Sequence, residues 1–226
     1  MCVCVCTYSF DHHWAEVGAS SNPCSQIYTG PYAHSEPEVA ALAAAVEAHG
    51  NVHFFVDVHS YSQMWLAPWG WTNDLPPHYS EHVALTSAAV GALQAVHGTV
   101  YTSGPSGVTI YPTSGTTDDY MYGTLGITHS YAIETRDRGQ YGFLLPAAQI
   151  KPNAQEVLAA FIASAIHILG PALSPGPPPP PPLCPPYDVS ASCVLGDEQL
   201  GRRCTCRALW SHVCSWPVGA VLSCDE

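Results

Sequence analysis

The apolar positions of this chain fall into short blocks separated by turn-forming residues. "SEPEVAALAAAVEAHG" predicts a helix, with Ser35 as its N-cap, Pro37 and the acids in its first turn and Gly50 closing it. "NVHFFVDVHS" is a short, mostly apolar run and predicts a buried strand. A second helix is expected from about Tyr79 to His97, ended by Gly98. "GVTIY" (107–111) reads as a short strand or the end of an extended loop, and "ITHSYAIET" (127–135) as another strand. A last helix follows Pro152, from about Asn153 to Leu169. The stretch 18–31, "GASSNPCSQIYTGP", is loop-like. Strands alternating with helices imply an α/β fold with a mixed or mostly parallel sheet. Sites in such sheets gather beyond the carboxyl ends of the strands, a position that both His59 and Glu134 occupy.

The pattern breaks at both ends. "MCVCVCTYS" (1–9) reads either as a strand or as translated TG-repeat DNA, since TGT encodes Cys and GTG encodes Val. Residues 174–183 form a polyproline linker, a semi-rigid spacer of roughly 25–30 Å. Residues 184–226 hold Cys184, Cys193, Cys204, Cys206, Cys214 and Cys224. So short a module cannot bury much core and is expected to be stapled by three disulfides, whose pairing the sequence does not choose. A zinc module is the rival for this segment, disfavoured because it lacks a CxxC pair.

Composition narrows the classes. The net charge of −12, with six Lys and Arg in 226 residues, argues against a nucleic-acid partner. No segment reaches the roughly 18 apolar residues of a membrane span. Ten cysteines point to an oxidising, extracellular compartment, although residues 1–9 do not read as a signal peptide.

His59 alone at a strand end would usually be structural. Glu134 in an apolar strand needs a partner. Arg136 or Arg138 could pair with it, or a cleft could raise its pKa into the range of a general base. Beyond these single residues, "VDVHSYSQMWLAPWGW" and "IETRDRGQYGFLLPAAQI" closely resemble the zinc metallocarboxypeptidases of the pancreatic A and B type. "GASSNPCSQIYTGPYAHSEPE" and "IYPTSGTTDDYMYG" match the same family in the same order. The resemblance covers about Phe10 to Gly170, the C-terminal half of the family's peptidase domain.

It implies a partial metallocarboxypeptidase-type mixed sheet flanked by helices, joined to the small disulfide-rich module. The expected organisation is therefore 1–9, an uncertain start; 10–173, the half-domain; 174–183, the linker; and 184–226, the six-Cys module. The implied activity is removal of C-terminal residues from peptides and protein C-termini by metal-activated water. His59 corresponds to one of three zinc ligands, and Glu134 to the catalytic glutamate, base first and proton donor to the leaving amine afterwards. Tyr111 corresponds to a mobile tyrosine that closes over the C-terminal residue, and Ser60 and Tyr61 line the substrate cleft. Asp118 falls on the floor of the specificity pocket, where an acid resembles the B type that removes Arg or Lys; read by itself, it is also a plausible turn acid. The Ser60–Tyr61, Pro68–Trp69 and Arg136–Asp137 bonds occupy positions that are cis in the family.

The other two zinc ligands come from an HxxE motif ahead of the matching region, so only one of three is expected here. His13–Glu16 and His78–Glu81 have that spacing but fall where the family has loop and helix-start residues. Thr7, Tyr8 and Ser9 stand where the family has an Asn-Arg-Asn stretch that grips the substrate carboxylate. Cys24 matches a half-cystine whose partner belongs near residue 1, where Cys2 or Cys4 could substitute. The chain is thus expected to be truncated, inactive by itself, and only marginally stable, with sheet faces left uncovered. The alternatives are a non-catalytic pseudoenzyme that binds peptides, and an extracellular matrix or wall protein whose Cys-rich module binds polysaccharide.

Overall fold

The computed structural model describes residues 8–170 and two later strands, 204–207 and 221–224. The chain divides into two compact units, residues 1–171 and 172–226. The first carries α1 (Pro37–His49), β1 (Phe54–Ser60), β2 (Met64–Ala67), α2 (Tyr79–His97), β3 (Thr102–Pro105), α3 (Ser106–Thr109), α4 (Thr117–Gly123), β4 (His129–Thr135) and α5 (Ala147–Leu169). In the second, β5 (Cys204–Arg207) and β6 (Val221–Cys224) pair antiparallel, with Cys204 opposite Cys224. The linker, the expected disulfides and residues 1–7 lie outside the described residues.

The main sheet has the order β1-β4-β2-β3 and is mixed. β1 and β4 run parallel, β2 and β4 antiparallel, and β2 and β3 parallel. Alternation along β1 and β4 sorts their side chains onto two cores. Phe54, Val56, Tyr131 and Ile133 pack with Trp65, Leu85, Leu93, Ala160 and Phe161, under α2 and α5. Phe55 points the other way and packs near Phe10, Val39, Tyr120, Met121 and Ile127, under α1 and α4. On β4 the same alternation turns Ser130 toward α4, where its hydroxyl donates to the Asp118 carbonyl at 2.9 Å. His59 and Glu134, two-residue steps from Phe55 and Ser130, therefore share the α1/α4 face.

Four local expectations are corrected. β1 is an edge strand, half-buried rather than buried, with Val58 54 % exposed. The N-cap of α1 is Glu36, not Ser35, whose hydroxyl donates to the Glu36 carboxylate instead. "GVTIY" is not a strand: β3 ends at Pro105 and the short helix α3 takes 106–109. α5 begins six residues before Asn153 and runs through Pro152. That proline stands in the second turn, so its missing N–H interrupts the ladder only near the helix start. Gly50 and Gly98 close α1 and α2 in the left-handed conformation, as expected, each donating its N–H back to the helix.

His82 projects from α2 into the larger core and is 1 % exposed. Its Nδ1 lies 3.1 Å from the Tyr131 hydroxyl, and its Nε2 has no partner. Burial, reinforced by His129 and His78, pushes its pKa down to about 4. The unfolded chain therefore binds more protons than the fold between about pH 4 and the ordinary histidine value near 6.5. This contribution is complete above that value and is lost as pH falls toward 4, by roughly 3 kcal/mol. His129, whose pKa is also lowered by burial, acts in the same direction. The urea midpoint should fall between pH 7 and 4.5, and His82→Phe should flatten that dependence.

Candidate active site

β1 and β4 end side by side. Their register sets His59 opposite Glu134 and Ser60 opposite Thr135. The two parallel carboxyl ends thus bring an imidazole and a carboxylate together on the α1/α4 face. The Thr135 hydroxyl donates to the His59 carbonyl at 3.0 Å, and the Ser62 and Gln63 amides donate to the Thr135 carbonyl, tying the turn after β1 to the end of β4.

Glu134 does not pair with either arginine that follows it. Arg136 binds Glu156 through Nε at 2.8 Å and through a second, shorter contact, and Arg138 donates to the Val100 carbonyl. The Oε2 atom of Glu134 is buried without a partner. Burial raises its pKa; His59 opposes that shift and Asp57 adds to it. His59 has its Nε2 3.1 Å from Asp57 Oδ2, and this hydrogen-bonding partner lifts the imidazole pKa despite burial. Asp57 itself is held low: burial pushes it up, but hydrogen bonds from His59 and Thr117 outweigh that.

Asp118 is the second residue of α4 and is 4 % exposed. Ser106 donates to its Oδ2 at 3.5 Å, and burial with the neighbouring Asp57 raises its pKa. Its neighbour Asp119, fully buried, faces elsewhere and accepts from the Gly70 and Trp71 amides at 2.9 Å. One turn of α4 thus carries a buried acid beside Ser106 and an acid that fastens the "PWGW" loop.

Tyr61, after the cis Ser60–Tyr61 bond, meets Phe143 edge-on with centroids 5.1 Å apart. At Gly142 φ is +57°, which favours glycine, and a Cβ there would press to 3.1 Å from the Tyr61 ring. Asp137 draws that loop in by accepting from the Gly139, Tyr141 and Gly142 amides. The Pro68–Trp69 and Arg136–Asp137 bonds are also cis, as expected. Tyr111 is 53 % exposed, and Ser60 is exposed at the end of β1. Tyr8 is the residue that links these parts. Burial, with Tyr111, Glu134 and Asp118 close by, pushes its phenol up to about 12.

His59, Glu134 and Asp118 are therefore brought together, with Tyr111 beside Tyr8. Asp57 was missed by sequence reasoning, although the two-residue step to His59 in "VDVH" puts both on one strand face. The two HxxE strings are engaged elsewhere. His13 pairs with Glu16 at 3.0 Å, Glu81 with His167 at 2.9 Å, and His78 bonds the Tyr122 hydroxyl. Cys24 is exposed and has no disulfide partner among the described residues, and Cys2 and Cys4 lie outside them. Among the described residues no three His, Cys, Asp or Glu side chains converge to hold a metal ion. Nor, among them, is any helix long and apolar enough to cross a membrane.

The family described as zinc carboxypeptidase matches residues 7–160. The chain is 46 % identical over 149 residues to carboxypeptidase B of Astacus astacus, covering 66 % of this chain and 49 % of that one. It is 42 % identical over 161 residues to carboxypeptidase A1 of Sus scrofa, covering 71 % and 38 % respectively. Among solved structures, bovine thrombin-activatable fibrinolysis inhibitor in complex with tick carboxypeptidase inhibitor superposes with a TM-score of 0.71 at 36 % identity. That likeness covers 73 % of this chain and 56 % of the other. The chain spans half or less of the length of these two curated relatives.

Proposed function

Since the chain belongs to the zinc carboxypeptidase family, we propose that residues 8–170 carry the general base, one zinc-binding histidine and the specificity pocket of an enzyme that removes C-terminal Arg or Lys from peptides. The observation that carries this reading is the register of His59 against Glu134, on the face where Asp118 is buried. Relatives of the A and B types are similarly close, so overall identity does not choose between them. Asp118 favours the B type, because a buried carboxylate gains from a cationic side chain and loses against an apolar one.

Zinc is the family's metal, and a histidine at a strand end is a suitable ligand for it. The described residues do not complete such a site, since His59 has no second and third ligand among them. The 226-residue chain alone is therefore expected to release no C-terminal residue and to hold zinc weakly in this unit. In the proposed roles, Glu134 accepts a proton from the attacking water and passes it to the leaving amine. Its desolvated setting raises its basicity toward neutral pH. Asp118 receives the substrate cation, Tyr111 closes over it from its exposed loop, and Ser60 and Tyr61 form the rim.

The test is substrate choice. In a zinc-loaded form completed by an HxxE-bearing front half, a peptide ending in Lys or Arg should be cleaved about 10²-fold better than one ending in Leu. Asp118→Asn should erase that ratio, whereas an equal loss on both peptides would contradict the assignment.

The incomplete ligand set favours a second reading, a non-catalytic module that binds peptide ends. An HxxE-encoding segment in the transcript ahead of Met1 would support the enzyme, and a verified start at Met1 the binding module. Cysteine usage supports an extracellular setting, with a matrix or wall polysaccharide as the candidate ligand of residues 184–226. Binding of that isolated segment to polysaccharide is the check.

A further inference from the structure

We infer that Asp57 is a second acidic determinant of the pocket, and that together with Asp118 it selects a guanidinium over an ammonium group. This rests on the cleft proposed above. Asp57 lies two residues before His59 on β1, so both side chains leave the same face. One carboxylate oxygen lies 3.1 Å from His59 Nε2. Thr117, in the first turn of α4, hydrogen-bonds the Asp57 carboxylate, and Asp118 is the next residue along that turn. Asp57 and Asp118 therefore come from two different elements, joined through Thr117, and the charge of Asp57 acts on Asp118.

The cation already in place is His59, whose Nε2 holds Asp57 Oδ2 at 3.1 Å and whose pKa that partner lifts; Asp118 has no cationic partner among the described residues. Arg136 is held by Glu156, Thr99 and Gln149. Arg138 donates to the Val100 carbonyl, and Lys151 is exposed on α5. Tyr8 faces Asp118 and Glu134 with a phenol that stays neutral, a hydrogen-bond donor without positive charge. Glu134 Oε2 is buried and unpartnered. A cation entering here meets carboxylates on two sides. A guanidinium presents five N–H donors in a flat fork and can serve both Asp57 and Asp118 at once, whereas an ammonium is a compact point charge that satisfies one acid well.

The test uses the 226-residue chain at neutral pH, titrated calorimetrically with agmatine and with cadaverine. Both carry an ammonium at one end and no carboxylate; the other end is a guanidinium in agmatine and a second ammonium in cadaverine, so the difference between them reports the guanidinium. Agmatine should bind about tenfold tighter than cadaverine. Asp57→Asn should bring the two within about twofold of each other while both still bind. Asp57→Ser, a smaller replacement, should do the same. Asp118→Asn should weaken both ligands. Equal binding by the unmodified chain, no binding of either ligand, or an unchanged ratio in both Asp57 variants would overturn the inference. The readout needs neither zinc nor hydrolysis, so a zinc-loaded form completed by an HxxE-bearing front half that cleaves nothing would sink the catalytic reading alone.

Discussion

Glu134→Gln, in a zinc-loaded form completed by an HxxE-bearing front half, is expected to slow release of a C-terminal lysine by about 10²–10⁴-fold. The amide keeps the size of the side chain and most of its hydrogen-bonding capacity, but it cannot take a proton. Glu134 stands on a strand whose two neighbours in sequence, Ile133 and Thr135, are buried, and whose register with β1 fixes it beside His59. The replacement should therefore leave the fold and KM near their original values and act on kcat. Steady-state kinetics over a range of lysine-terminated peptide concentrations would show this. A loss below about tenfold would mean that another group takes the proton.

Arg136→Ala is expected to cost roughly 3–5 kcal/mol of stability, the largest effect of any single replacement outside the apolar core. Its partner Glu156 is completely buried in α5. Thr99 also donates to Glu156, at 2.6 Å, and Arg136 bonds both Thr99 and Gln149. Removing the guanidinium leaves a carboxylate in the core with a hydroxyl as its remaining partner. Replacing both members, Arg136→Met with Glu156→Leu, should recover most of the loss, because an apolar pair needs no desolvation. Urea unfolding of the single and double variants measures the difference. A single-variant cost under about 1 kcal/mol would put this pair in the class of surface bridges. The pair also anchors the chain immediately after Glu134, so the same network that stabilises the fold holds the end of β4.

What was legible in the sequence was the part that depends on local pattern and on long distinctive blocks. The two strands carrying His59 and Glu134, the helix 79–97 and the cis peptide bonds follow from "FFVDVHSYSQ", the α2 run and the family blocks. The errors lie where tertiary context outweighs local preference. Ser35 is a good cap in isolation, yet its hydroxyl is drawn to the Glu36 carboxylate, and the helix starts later. "GVTIY" has strand-forming residues, but the Gly107 amide is committed to the Trp69 carbonyl at 2.9 Å, and the backbone coils into α3. Pro152 suggested a helix start because proline is common there, and the helix tolerates it one turn further in. Asp57 was hidden for another reason. Its meaning depends on Thr117 and Asp118, some sixty residues away, and nothing in one sequence reports that juxtaposition.

The central claim is that residues 8–170 hold one part of a hydrolytic centre: base, pocket and a single metal-binding histidine. The most direct measurement joins this chain, from Phe10 onward, to an HxxE-bearing front half of a family member, loads the product with zinc and assays lysine release. The account predicts release that depends on both His59 and Glu134, and none from the 226-residue chain alone. A folded, zinc-holding chimera that releases nothing, or one whose release survives Glu134→Gln, would contradict it.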